Sequence, residues 1–369
     1  MTASTIRDRH DLIAYLHTAM ALEHATIPPY LTAYYSIRST TNSDAAHIIR
    51  VVAVEEMLHL TLAANVLNAI GGEPDLTRRG FVPTYPAYLP DGEDDFTVDL
   101  RPFSPDAVDT FCKIERPGEA PRDRARLVPE HDLARPSLVT SPTADGMRFY
   151  SIGEFYAEII EGLEEVASHD PGLFRGDPSR QVGPEYFFSG GGTAIPVFDL
   201  DSARRALEFI ADQGEGFDAG IHDEAGELAH YYRFRQLQLG RYYEVGDHPD
   251  RPSGPHLAID WHEVYPVKVS ARLADYPPDS QIAEVARAFN VEYWSFLGLL
   301  TEAFTGQPNL LQDAIWHMFR LRDGINRLVR NPLPGSGGLH AAPTFEMPIG
   351  RSTPDGPLVV GEAAAVVTP

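Results

Sequence analysis

Two Glu-x-x-His quartets constrain this chain more than any other feature: Glu56-Met57-Leu58-His59 and Glu227-Leu228-Ala229-His230. Each falls in a stretch whose apolar residues recur at helical spacing. At i and i+3 two side chains share one helical face, with Cβ atoms about 5–6 Å apart, close enough to grip one metal ion. Helical bundles with di-iron or di-manganese centres carry this motif on two helices and one Glu on each of two others. One quartet is commonplace in any acidic chain. Two of them, each inside an apolar helix, point to a pair of matching half-sites.

The remaining carboxylates follow from depth within hairpins. Leu12, Leu16, Met20, Ile27 and Leu31 predict a helix from Asp8 to about Arg38. A polar turn over 39–43 precedes a second helix, capped by Ser43 or Asp44, that runs to about Ile70 and ends at Gly71-Gly72. Glu56 lies past this turn about as far as Glu23 lies before it, so at about 1.5 Å per residue both sit roughly 20 Å from it. In a second hairpin, Asp201-Ser202 cap a helix to about Gly216, and Asp223 caps another to about Tyr243. Glu227 sits just past that second start, with Glu215 just before the intervening turn. The predicted ligand set is therefore Glu23, Glu56, His59, Glu215, Glu227 and His230.

A helix over 151–168 adds Glu158 as an extra ligand candidate, and Tyr156 and Tyr231 are candidate phenols beside the site. Glu55 and Glu224 fall to the solvated faces, His17, His24, His47 and His222 to ordinary core or surface positions, and Arg233 to a salt bridge. Pro28-Pro29, one turn after Glu23, should kink the first helix, as a simple bend or as an opening towards the metals. Four Glu and two His make a neutral site with two divalent ions. Imidazole with carboxylate suits iron, and so oxygen-rich a set also suits manganese. Without metal, four such carboxylates would repel one another and take up protons.

The wider chain bounds the rest. Fifty-three acids against 30 Lys plus Arg give a net charge of −23, which disfavours nucleic acid and anionic membrane as partners. No apolar run approaches the roughly 20 residues a spanning helix needs. The N-terminal residues turn charged at once, and a lone Cys112 suits a reducing compartment, so a cytoplasmic protein is expected. The expected partners are a small-molecule substrate and O2, and the chain is compatible with an oligomer.

The expected organisation is mainly α. A bundle over 1–72 and 150–245 is interrupted by an irregular insertion over 73–149, in which FTVDL and FCKIE read as strand-like. Loops and accessory helices follow over 246–331, with helices near 280–305 and 308–330, and then an extended tail over 332–369.

ALEHATIPPYLTAYYSI, VVAVEEMLHLTLAANVLNAIGGEP, SIGEFYAEII, QGEG and ELAHYYRF together resemble a bacterial ferritin-like family. That family is named for iminophenylpyruvate dimer synthase and occurs as a domain in violacein- and rebeccamycin-type pathways. The resemblance covers about residues 8–245, including YPAYLP and LRPFSPDAVDTFCKIERP. It implies a ferritin-like four-helix bundle with an irregular insertion and extra C-terminal helices. It also implies iron held by Glu and Glu-x-x-His, here Glu23, Glu56, His59, Glu215, Glu227 and His230. By analogy the chemistry is oxidation or oxidative coupling of amino-acid-derived imines. The first expectation is a non-haem di-iron oxidoreductase using O2 or peroxide, with imine coupling or iron storage as alternatives. The chain is expected to be without the long additional region of the violacein-type fusion proteins.

Overall fold

In the computed structural model, which describes residues 6–87, 96–118, 151–187, 191–216 and 220–347, Asp8 starts the first helix. Its carboxylate accepts from the backbone N–H groups of His10 and Asp11, donors that a helix start leaves unpaired. This helix, α1 (Arg9–Ser36), continues across Pro28 and Pro29. Pro29 has no N–H to offer Ala25 O, and Tyr85 Oη donates to that carbonyl instead, at 2.6 Å. Thr32 Oγ1 donates to Pro28 O at 2.8 Å. Side chains thus serve the carbonyls around the prolines, and the helix does not end there.

The second helix, α2 (Ser43–Ala69), follows a turn in which Asn42 takes a left-handed conformation. The Asn42 side chain does not cap α2 but exchanges two hydrogen bonds with the Asp260 backbone, each 2.8 Å. Gly71, at φ +74°, ends α2 with the reversed backbone bonds expected there.

Helix α3 (Pro105–Ile114) corrects a sequence expectation. FCKIE, read as a strand, forms its last turn and the Glu115 C-cap. Ala107, Val108, Phe111, Cys112 and Ile114 are buried at helical spacing, and Ser104 caps the start with Pro105 at the first position. Among the described residues FTVDL forms no named strand; its β pairing is the isolated bridge of Val98 with Ala87. Helix α4 (Ile152–His169) is capped by Ser151, and α5 (Leu200–Glu215) by Asp199 with Ser202 in a reciprocal capping box.

The helix expected from Asp223 to Tyr243 is shorter. Asp223 closes a tight turn, donating to Glu227 O through its backbone and accepting from Glu227 N and Gly226 N. Helix α6 (His230–Leu239) begins only at His230. Helices α7 (Gln281–Phe304) and α8 (Leu310–Val329) lie close to their expected spans.

Helices α1, α2, α4 and α5 form a ring in which α1 touches α2 and α4, and α5 touches the same two. This is a four-helix bundle, mainly α, and β pairing among the described residues is confined to isolated bridges. Helices α3 and α6 pack on each other against the bundle, and the α7–α8 hairpin covers its outer side. Residues 18–30 of α1 are buried all round, which an amphipathic surface helix could not be. The segment expected to lie outside the bundle supplies part of that cover. Leu76, Phe81, Tyr85, Leu100 and Phe103 belong to the same core cluster as α1 and α2. Among the described residues no helix is long and apolar enough to cross a membrane.

Candidate metal centre

Five side chains converge inside the bundle, each at most 3% exposed: Glu23 from α1, Glu56 and His59 from α2, Glu115 from the C-cap of α3, and His230 from the start of α6. Glu56 and His59 share one face of α2, with His59 Nδ1 3.7 Å from Glu56 Oε1 and 3.3 Å from Glu23 Oε2. Across the cavity, His230 Nδ1 lies 2.9 Å from the same Glu56 Oε1 and 3.6 Å from Glu115 Oε2. The two imidazoles are stacked with centroids 5.3 Å apart. Glu56, His59 and His230 by themselves place ligand atoms close enough together to hold one ion.

The outer nitrogens of both rings are already engaged. His59 Nε2 is 2.8 Å from Gln213 Oε1, and Gln213 Nε2 donates to Gly191 O, which leaves Oε1 as the acceptor. His59 therefore carries its proton on Nε2 and turns the lone pair of Nδ1 towards Glu23 and Glu56. His230 Nε2 donates to Glu55 Oε2 at 2.9 Å, while its buried Nδ1 has no hydrogen-bond partner. Two lone-pair nitrogens aimed into a nest of carboxylates, each with its far N–H held, is the arrangement metal-binding histidines require. Glu56, His59 and His230 could hold a metal ion, and Glu23 and Glu115 stand beside them as further carboxylates that could join it.

The electrostatics agree with that fit. Burial, then the neighbouring Glu115 and Glu23, push the Glu56 carboxyl up to about 8. Burial alone would lower both histidines, yet Glu23 and Glu56 raise His59, and Glu115, Glu55 and Glu56 raise His230 well above the usual range. The cluster draws positive charge inward, as protons when no cation is supplied. Around it, Tyr156 Oη donates to Glu23 Oε1 at 2.5 Å, and Tyr30 donates to Glu115 Oε1. Thr26 Oγ1 stands 2.8 Å from Glu23 O and 3.0 Å from Glu56 Oε2.

Glu55, assigned by sequence to a solvated face, is fully buried. Burial would raise its carboxyl, but His230, Arg233 and His59 together hold it below the ordinary range. Arg233 Nη1 reaches Glu55 Oε2 at 3.1 Å, and Nη2 reaches Glu227 Oε2 at 3.0 Å. A Cβ on Gly191 would fall 2.2 Å from Glu55, so glycine is what lets this loop pass.

Of the six predicted ligands, Glu23, Glu56, His59 and His230 meet in this cluster. Glu227 does not: it precedes α6, so it and His230 share no helical face, and its half-exposed carboxylate pairs with Arg233. Glu215 is absent from the cluster too. Its carboxylate accepts from the backbone N–H of Gly153, at 2.6 Å, and of Gly118, at 3.1 Å, and so neutralises the start of α4. A Cβ at Gly153 would meet Glu215 Oε2 at 2.4 Å. Burial raises the Glu215 carboxyl and those two N–H groups oppose the rise.

Glu158 is buried on α4, and Tyr156, two residues earlier on the same helix, bonds to Glu23 of the cluster. Tyr231 packs edge-on against Tyr232 at 4.9 Å and lies between the main core and a small apolar group of Ile221, Ala229, Tyr232 and Tyr243. Glu115 escaped notice because the strand reading of FCKIE hid its place at the end of an apolar helix. The signal present was a single acid following the buried positions Phe111 and Ile114.

A four-helix bundle with carboxylates and histidines projecting inward is the build of the ferritin-like carboxylate proteins. Residues 16–239 match the ferritin-like family, and the chain belongs to that family. It is 26% identical to a dichlorochromopyrrolate synthase from Lentzea aerocolonigenes over 399 aligned residues, covering 94% of this chain and 37% of that protein. It is also 26% identical to a 2-imino-3-(indol-3-yl)propanoate dimerase from Chromobacterium violaceum over 197 residues, or 50% of this chain and 16% of that one. The chain thus spans well under half the length of these curated relatives, and they agree with the dimer-synthase resemblance of its motifs. A ferritin-like protein from Caulobacter vibrioides shares the fold, with a TM-score of 0.59 and 24% identity over 91% of this chain and 98% of that one.

Proposed function

We propose that the protein is a non-haem, di-iron oxidoreductase that oxidises a small amino-acid-derived molecule in natural-product biosynthesis. The observation that carries this reading is the pair of inward-facing Nδ1 atoms, on His59 and His230, flanking the shared carboxylate of Glu56. Bound iron would supply activation of O2 or peroxide and the electrons for it, and manganese fits the same donors. The chain's own groups do the rest. Tyr156 and Tyr30, whose phenols burial keeps protonated, donate hydrogen bonds to the carboxylates of Glu23 and Glu115 and so fix their orientation. Glu55 and Gln213 orient the imidazoles. The apolar bundle interior keeps bulk water from the centre.

The names of both relatives are those of enzymes that make or join small molecules, which supports a biosynthetic substrate over iron storage. The name of the dimerase favours a second reading, oxidative coupling of imines at the same centre. The substrate and O2 are the proposed partners, and the cytoplasm the proposed compartment.

Anaerobic loading with Fe(II), metal analysis, and an optical record after O2 addition test the proposal. About two irons per chain and a transient absorption band are expected for a di-iron oxidase. Hundreds of irons per assembly would assign storage, and no bound metal would overturn the reading altogether.

A further inference from the structure

Helix α8 carries apolar side chains on two faces. Ala314, Leu321, Ile325, Leu328 and Val329 are buried towards the rest of the chain. On the other side Ile315, Trp316 and Phe319 stand in solvent, 41%, 64% and 42% exposed, with the two rings 5.8 Å apart. The outer side of a surface helix is ordinarily polar. Among the described residues no other helix exposes three large apolar side chains, and apolar surface grouped in this way marks a docking site.

Charge decides what docks there. Two copies of a chain of net charge −23 repel each other over most of their surfaces. On α8, Asp313 and Asp323 stand against Arg320, Arg322 and Arg327, which leaves the helix one positive charge. The charges are also ordered along it. Asp313 precedes the aromatic pair, and all three arginines follow it. Turned end for end, such a helix sets its own acid against its own bases.

We infer that α8 is the interface of a symmetric homodimer, packed antiparallel against α8 of a second copy about a two-fold axis between Trp316 and Phe319. In that register Trp316 of each copy lies level with Phe319 of the other, and four rings form one apolar centre. Asp313 and Arg320, a heptad apart, share one flank of the helix. At about 1.5 Å per residue, Asp313 stands roughly 7 Å from the axis and Arg320 of the second copy roughly 4 Å from it on the same side, a gap that a guanidinium spans. Arg320 also keeps Glu292 at 3.4 Å, and Arg322 stacks over Phe319 at 4.9 Å. Each guanidinium has further N–H donors for an acid across the interface. Gln312, rather than an acid, comes level with Asp323 of the second copy. Tryptophan, phenylalanine and arginine are also the residues that protein interfaces concentrate.

Sedimentation equilibrium of the full chain tests this. A particle of twice the chain mass is expected at micromolar concentration, with or without a metal chelator. Trp316→Glu should raise the dissociation constant at least about thirtyfold, the effect of losing one dominant interface side chain. Circular dichroism reports its folding, and Phe319→Ser, also at an exposed position, carries the test if Trp316→Glu unfolds. Asp313→Arg and Arg320→Glu each bring like charges together across the axis, and either alone should weaken the dimer at least about tenfold. Mixed in equal amounts, these two variants should recover the wild-type affinity, because in the mixed pair every altered charge meets its opposite. A monomeric wild type, a dimer that the aromatic substitutions leave unmoved, or a mixture no tighter than its parts would each overturn the inference. None of these results bears on metal stoichiometry, where the proposed function is read.

Discussion

At His230 each ring nitrogen has its own task. Nε2 donates to Glu55, and Nδ1 faces Glu56 and Glu115. Glu55→Ala removes that acceptor and leaves Arg233 without its buried partner, freeing the imidazole to turn. Metal affinity should fall by about 10–100-fold, the usual effect of losing such an orienting contact, and Glu55→Gln should fall less because an acceptor oxygen remains. Competition titration with a chromophoric chelator reads both, and wild-type affinity in Glu55→Ala would show that other contacts hold the ring. Glu115→Ala and Glu227→Ala form a matched pair. The first should lose bound metal while circular dichroism stays native. The second removes a half-exposed salt bridge, changes stability by no more than about 1 kcal/mol, and should keep its metal. Metal analysis giving the opposite pattern would put Glu227, not Glu115, at the centre.

At the scale of elements, α1 crosses two prolines because a neighbouring segment repairs what they remove. Tyr85→Phe takes the hydrogen bond from Ala25 O and should cost about 1 kcal/mol in urea unfolding. In a Pro29→Ala background the helix regains its own N–H at that carbonyl, so the same Tyr85→Phe change should cost close to nothing. A double-mutant cycle measures the coupling, and additive effects would mean that Tyr85 contributes through packing alone. The short start of α6 belongs to this scale as well. The turn that Asp223 closes withholds Glu227 from the helix and leaves His230 at its head. The second quartet therefore delivers one side chain to the cluster, His230, and α3 delivers a further carboxylate, Glu115.

Across the described residues, α1 is enclosed by the bundle on one side and by α7, α8 and the 73–87 and 96–103 segments on the other. His24 sits in that seam. Its Nε2 is 2.8 Å from Tyr293 Oη of α7, its ring lies on Phe81, and its Nδ1 has no partner. Burial lowers its pKa from 6.5 to about 3. A histidine depressed in the folded state takes up its proton more readily when unfolded. Its contribution to stability is therefore complete above pH 6.5 and is lost as pH falls towards 3. Relative to His24→Gln, the wild type should lose up to about 1.4 kcal/mol per pH unit across that window. Thermal unfolding at several pH values checks this, and parallel curves for the two proteins would refute it.

Local spacing was enough to specify the long helices, the first hairpin and the side chains it brings together. Glu23, Glu56 and His59 lie on helices whose apolar periodicity sets their faces, and a hairpin of known rise brings them level. The helical class, the bundle and the resemblance rest on the same short-range regularities. The second half of the site was decided by tertiary structure. Glu115 comes from a helix that sequence alternation disguised, Glu215 answers the dipole of α4, and Glu55 is buried because His230 and Arg233 come to meet it. No spacing along the chain encodes those encounters. They depend on which elements pack together once the core excludes water, and a buried carboxylate settles wherever a donor or cation is there to compensate it.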